Sequence, residues 1–159
     1  IIKESVYSTC SVMLIIVSAS AFSYYMSWER IPQMITEMLT SFTSNPLVFL
    51  MIINVFLLIL GMFLEGTASL IILTPLLLPV ATSLGIDPIH LGIVMVVNIT
   101  MGGITPPFGT LIFIVCSTLK LKVADFVKES IPFIAALVAV LLVITYFPKV
   151  VTFLPYLIG

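Results

Sequence analysis

Charge is what this chain has least of. Across 159 residues there are 6 Lys and Arg against 7 Asp and Glu, with one His and a formal net charge of −1. At 8% of the chain, charged residues are too few to clothe a soluble domain of this size. The lack of a basic excess removes any nucleic-acid footprint, so no nucleic-acid partner is expected. Cysteine is equally scarce. Cys10 and Cys116 sit far apart inside apolar runs, without metal-like or redox-like spacing, and read as small hydrophobes. One His, two isolated Cys and one carboxylate within an apolar run give no set of catalytic groups, so an enzyme is not expected and no catalytic residues are assigned. The first residue is Ile1 rather than Met and no secretory signal is visible, so the chain is expected to be a segment of a longer protein.

What is abundant is apolar sequence, at 61% of residues. The few charges gather at seams: Lys3 and Glu4, Glu29 and Arg30, Asp87 and His90, then Lys120 to Glu129. Between them run apolar stretches of roughly 18 residues or more, the length that spans a bilayer. The expected class is an all-α polytopic membrane protein embedded in lipid. A first apolar segment runs from Val6 to Met26, closed by Tyr24, Tyr25 and Trp28 as aromatic residues close a span at the membrane interface. "WERIPQMITEMLTSF" follows, with Ile31, Met34, Ile35, Met38, Leu39 and Phe42 at helical spacing and polar residues opposite. That pattern predicts an arm helix lying in the interface plane, so residues 1–44 read as a transmembrane helix plus an arm.

Residues 45–86 read as a helical pair. Asn45 followed by Pro46 is a cap with proline in the first turn, and the helix is expected to run to about Leu64. "EGTAS" interrupts it, and a second apolar helix is expected from about Leu70 to Leu84 with Pro75 and Pro79 inside. The pair is either two full spans joined by a tight turn or a re-entrant hairpin with its tip at membrane depth. The small residues and single carboxylate of the tip favour the hairpin, because such a tip suits burial within protein. Residues 87–119 repeat the cap logic with Asp87 and Pro88, the helix running into "NITMGGITPPFGT". Gly102, Gly103, Pro106 and Pro107 break this spanning helix in two; neither proline has an N–H to donate. Free carbonyls at one end and free N–H groups at the other are expensive in hydrocarbon, so the break is expected to face a ligand or other protein. Residues 120–159 read as a polar loop "KLKVADFVKES", a last span from about Ile131 to Phe147, and a tail "PKVVTFLPYLIG" near an interface. His90 reads as an interfacial residue beside a capped helix rather than a proton relay.

The stretch "GMFLEGTASLIILTPLLLPVATSLGIDPIHLGIVMVVNITMGGITPPFGT" closely resembles the large membrane subunit of the tripartite ATP-independent periplasmic (TRAP) transporters, and "WERIPQ" upstream is also similar to that family. The likeness covers essentially the whole chain and matches only the second of the family's two inverted repeats. It implies an interfacial arm, a re-entrant hairpin and a discontinuous helix working as half of an elevator transporter. It implies residence in the bacterial inner membrane, sodium as the coupling ion with no organic cofactor, and import of organic acids of the C4-dicarboxylate or sialic acid type. The implied partners are the missing first repeat, a small membrane subunit either separate or fused, and a soluble periplasmic binding protein. A sodium site between hairpin and break is implied, drawing on carbonyls of Gly66, Thr67, Gly103, Ile104, Thr105 and Pro107 and on the Thr105 hydroxyl, since hard cations prefer oxygen. Ser69 and Asn98, with Thr67, are candidates to touch the substrate carboxylate. Glu65 is open between a site carboxylate and a cap of the next helix.

The alternative is a carrier of similar architecture for dicarboxylates or citrate, coupled to sodium or protons, that needs no binding protein. Lys120, Lys122 and Lys128 form the densest positive cluster, which the positive-inside tendency puts in the cytoplasm, leaving the Asp87 and Asn45 ends periplasmic.

Overall fold

The computed structural model describes residues 2–31, 34, 37, 45–64 and 66–158. Among them are seven helices: α1 (Ile2–Trp28), α2 (Pro46–Phe63), α3 (Gly66–Ser83), α4 (Pro88–Gly103), α5 (Thr110–Leu119), α6 (Val123–Tyr146) and α7 (Pro148–Ile158). Three of these, α2, α3 and α6, are long and apolar enough to cross a membrane. The chain is therefore an all-α, multi-helix protein, and its many exposed large hydrophobics, such as Phe56, Ile59, Phe133 and Val140, suit a lipid solvent. The expected arm helix falls mostly on residues 32–33, 35–36 and 38–44, which lie outside the described residues.

Local signals place the helix starts. Asn45 accepts from the Leu47 amide at 2.9 Å, with Pro46 in the first turn. Asp87 accepts from the Ile89 and His90 amides at 2.8 and 3.2 Å, with Pro88 in the first turn. Helix α3 ends at Ser83 and the chain turns on Gly85 at φ 76°, where the Gly85 amide reaches Thr82 O at 3.0 Å and the Ile86 amide reaches Ala81 O at 2.9 Å. That left-handed turn suits glycine and satisfies the helix's last carbonyls.

Two boundaries differ from expectation. Helix α3 begins at Gly66, about a turn before Leu70, since small residues such as Thr67, Ala68 and Ser69 continue a helix once its apolar face is packed. Helix α6 begins at Val123, so the connection is only 120–122 instead of the longer polar loop. The charges of "ADFVKES" sit on a helix whose first turn carries Asp125, favourable at the positive end of the helix dipole.

The core lies between α2, α3 and α4. Phe49, Leu50, Ile53 and Leu57 of α2 meet Leu91, Met95 and Ile99 of α4, with Leu77, Val80 and Ala81 of α3 closing the third side. Helices α2 and α4 share the most extensive interface. They run parallel, because Asn54 lies beside Asn98 and Gly61 beside Gly102. At the second pair the backbones touch: a Cβ on Gly102 would stand 2.6 Å from Gly61 Cα, and one on Gly61 would stand 2.7 Å from Ile99 O. Small residues at such a crossing are what lets helices in lipid pack closely.

Helix α6 runs antiparallel to α4. The His90 ring, 2% exposed, uses Nε2 to reach Ile144 O at 2.9 Å. A carbonyl only accepts, so Nε2 carries the hydrogen. His90 is thus buried and closes the C-terminal end of α6, instead of facing the interface, because the start of α4 is covered by the end of α6. Helix α7 folds back over the same end, where the Tyr156 hydroxyl donates to Asp87 Oδ2. This bond from Tyr156, followed by the His90 amide, holds the Asp87 carboxyl below its ordinary pKa, and the carboxylate in turn raises the Tyr156 phenol.

Two outcomes follow from this packing. Gly102→Ala destabilises the detergent-solubilised protein by about 1–3 kcal/mol through overpacking. Gly92→Ala, where a Cβ would meet nothing within 4 Å, stabilises helix α4 by about 0.5–1 kcal/mol; thermal unfolding of the two variants should shift in opposite directions. The depressed Asp87 carboxyl adds stability above its unfolded pKa, lost as pH falls through the folded value, while the raised Tyr156 phenol adds stability below its unfolded pKa, lost as pH rises through the folded value. The gap in melting temperature between wild type and Tyr156→Phe is therefore present at neutral pH and narrows below about pH 4 and above about pH 10.

Candidate functional site

Helix α4 ends at Gly103 and α5 starts at Thr110, leaving 104–109 as irregular backbone. The Ile104 and Thr105 amides turn back to Met101 O and Gly102 O at 3.1 and 3.0 Å, and the Thr105 hydroxyl donates to Met101 O at 2.6 Å. That donation fixes the side chain and leaves the hydroxyl lone pairs directed away from the bond. The Pro106–Pro107 peptide bond is cis. The loop closes where the Gly109 amide donates to Thr105 O at 3.1 Å.

Gly109 is buried, and the space beside it is lined by backbone atoms of the break. A Cβ there would lie 2.6 Å from Gly103 O, 2.9 Å from Thr105 O and 3.0 Å from Thr105 N. Two carbonyls of the break thus converge on one point, which only a residue without a side chain leaves clear. Helix α5 opens on Gly109 with no side-chain cap, so its first amides present the positive end of a helix to the same region.

The turn between α2 and α3 comes to this break. The Phe63 and Phe108 rings have centroids 5.0 Å apart, and Gly66 stands against the Ile99 side chain, one turn before the break. Gly66 is half-buried, Ser69 is 2% exposed, Gly103 is buried, and Ile104 and Thr105 are half-buried. Thr67 and Pro107 are exposed. Glu65 lies outside the described residues. Among the described residues no cluster of three or more His, Cys, Asp or Glu could hold a metal; the oxygens that the break itself brings together are backbone carbonyls and the Thr105 hydroxyl.

Asn98 is fully enclosed, its amide hydrogens bonded to Val94 O at 2.7 Å and to Asn54 Oδ1 at 2.8 Å. A carboxylate would reach those donors only by displacing one of these bonds. Sequence reasoning missed Asn54, Thr145 and Gly109. Asn54 had a signal, as the only amide in the apolar run of α2. Thr145 and Gly109 had none, since their meaning depends on what lies across from them.

The family model for the tripartite ATP-independent periplasmic transporter, DctM component, matches residues 1–150. The chain is 43% identical over 150 residues to the C4-dicarboxylate TRAP transporter large permease protein DctM of Vibrio cholerae, covering 94% of this chain and 33% of that protein. It is 38% identical over 159 residues to the protein of the same description from Pseudomonas aeruginosa, 100% of this chain and 37% of that one. It is 35% identical over 157 residues to the sialic acid TRAP transporter large permease protein SiaM of Vibrio cholerae, 99% of this chain and 37% of that one. The chain therefore spans about a third of the length of these relatives. The family is one of transport proteins and not of enzymes, and together with the long apolar helices it puts the chain in the inner membrane as a multi-pass protein. With helices that suit a bilayer, an irregular break lined by oxygens, and a family model that runs over nearly all of its length, this chain belongs to the DctM component family of the tripartite ATP-independent periplasmic transporters.

Proposed function

We propose that this chain is the second inverted repeat of the membrane component of a sodium-coupled secondary transporter. The transporter imports an organic acid of the C4-dicarboxylate or sialic acid type, handed over by a soluble periplasmic binding protein. The first repeat and a small membrane subunit complete it. The observation that carries the reading is the meeting of the α2–α3 turn with the 104–109 break, where Gly103 O and Thr105 O converge beside Gly109.

Neutral oxygens at membrane depth fit a hard monovalent cation. The residues that would hold sodium are Gly103, Ile104, Thr105 and Pro107 of the break, with Gly66 and Thr67 across from them. Bound there, the ion would offset the free carbonyl ends and draw a substrate carboxylate to the same place. Ser69 and Asn98 are the side chains proposed to meet that carboxylate, Asn98 after one of its present bonds has opened. The names of the relatives, which refer to C4-dicarboxylates and to sialic acid, support the substrate class.

Helix lengths support a re-entrant hairpin. Helices α2 and α4, with 18 and 16 residues, run parallel from neighbouring capped ends for about 27 and 24 Å. They finish side by side. Helix α5 continues for 10 residues, about 15 Å, before the 120–122 turn, and the 24 residues of α6 return about 36 Å to His90. The α2–α3 turn thus stops well short of the lysine-rich end. With that end in the cytoplasm, the hairpin opens toward the periplasm, and the block of α2, α4 and α6 is the body that an elevator motion would carry.

The test is sodium-driven uptake by the full-length transporter in proteoliposomes, with and without its binding protein. Gly109→Ala and Thr105→Ala each raise the half-saturating sodium concentration about tenfold, equivalent to about 1.4 kcal/mol, while membrane insertion is kept. Sodium-independent uptake by the wild type would overturn the coupling; full-rate uptake without the binding protein would favour the binding-protein-independent carrier.

A further inference from the structure

We propose that Asn54 is a positioning residue: it sets the axial register of α2 against α4, and through that register the fit of the hairpin tip to the break. The proposal rests on the reading of the tip and break as the ion site. Its evidence is a relay of buried hydrogen bonds across three helices. Asn98 Nδ2 donates to Asn54 Oδ1 at 2.8 Å, Asn54 Nδ2 donates to Thr145 Oγ1 at 2.8 Å, and Thr145 Oγ1 donates to Leu141 O at 2.8 Å. The three side chains are 0, 3 and 0% exposed. Both outer members are anchored to their own helices four residues back, Asn98 on Val94 O and Thr145 on Leu141 O. Asn54 bridges them, and its amide is oriented by what it meets: an N–H toward it from Asn98, a hydroxyl oxygen before it on Thr145.

The relay is not what stability alone would select. Asn98 Oδ1 is buried with no hydrogen-bond partner, and an unpaired acceptor in an apolar interior is unfavourable. Apolar side chains of the same size would remove that penalty. A buried Asn in an apolar helix seam is known to fix register at the expense of stability, because only one alignment pairs its amide. The relay complements the close crossing. Gly61 and Gly102, where neither side has room for a Cβ, bring the two backbones together. The leucine and isoleucine faces beside them in lipid do not distinguish one alignment from the next, and the amide pairing adds the directional bond that apolar packing lacks. A slip of one turn would move the tip by about 5.4 Å relative to the break, separating Gly66 from Ile99 and Phe63 from Phe108. Asn54 lies nine positions before Phe63 and Asn98 five before Gly103 (63 − 54 and 103 − 98), so the pin sits close behind the site on both helices.

The experiment uses the full-length transporter in proteoliposomes and two readouts. One is the half-saturating sodium concentration for uptake. The other, independent of sodium coupling, is oxidative cross-linking of the pair Phe63→Cys with Phe108→Cys. Asn54→Leu and the near-isosteric Thr145→Val are expected to raise half-saturating sodium about tenfold and to lower the cross-linking yield several-fold. Thr145→Ser, which keeps the hydroxyl, stays within about twofold of wild type on both. Melting temperature separates register from mere loss of stability: a fall in melting temperature with sodium dependence and cross-linking unchanged overturns the proposal. If Asn54→Leu does not fold, Thr145→Val decides alone. Absence of sodium dependence in the wild type would sink the ion-site reading while the cross-linking result still decides the positioning role.

Discussion

The structure turns on the place where two glycines let two helix backbones touch. At Gly61 and Gly102 there is no room for a methyl group on either side, and the contact sets α2 and α4 in parallel over most of their length. In water, hydrophobic burial would drive such an interface. In lipid the solvent is as apolar as the side chains, so close packing and internal hydrogen bonds carry the specificity instead. The core follows from this axis: the α2 face of Phe49, Leu50, Ile53 and Leu57 seats on Leu91, Met95 and Ile99, and α3 covers both.

From that axis the site follows. Parallel helices with neighbouring starts and similar lengths finish together, so the turn after Phe63 meets the break after Gly103. A break in a membrane helix exposes backbone groups that hydrocarbon cannot satisfy. Here part of the demand is met internally, by the Thr105 hydroxyl on Met101 O and the Gly109 amide on Thr105 O. Gly103 O and Thr105 O, the latter already accepting from the Gly109 amide, both face Gly109, and there is no carboxylate among the described residues of the break. The local chemistry of the described break is that of dipoles rather than of fixed charge.

The opposite end of the bundle is built differently. The starts of α2 and α4 carry Asn45 and Asp87 as caps, His90 closes the end of α6, and Tyr156 of α7 ties down on Asp87. Asn45, Asp87 and His90 each satisfy a helix terminus and Tyr156 braces the Asp87 cap, so this end is tied together by side-chain hydrogen bonds, two of them between distant segments.

Much of this organisation was written in short stretches of sequence. Asn45-Pro46 and Asp87-Pro88 announce helix starts, and two glycines with two prolines announce where α4 must stop, because caps and breaks are local effects of one side chain on its own backbone. Local composition was ambiguous at Gly66 to Ser69 and at Val123 to Glu129: small or charged residues accept a helix or a loop, and packing on α4 and α5 decided for helix. His90 looked interfacial because it follows the Asp87-Pro88 cap at a helix start; its neighbour in space is the end of α6. Membrane residence, helical class and the position of the break were thus determined by the sequence itself. The relay was decided only by tertiary structure: its members are 44 and 91 positions apart, and whether they meet depends on the rotation and register of whole helices. The same holds for Gly109, whose missing side chain matters only because Gly103 O and Thr105 O point at it. Periodicity gives the face that a helix buries, but the partner of a polar atom on that face is fixed by distances across the interface, which no single segment contains.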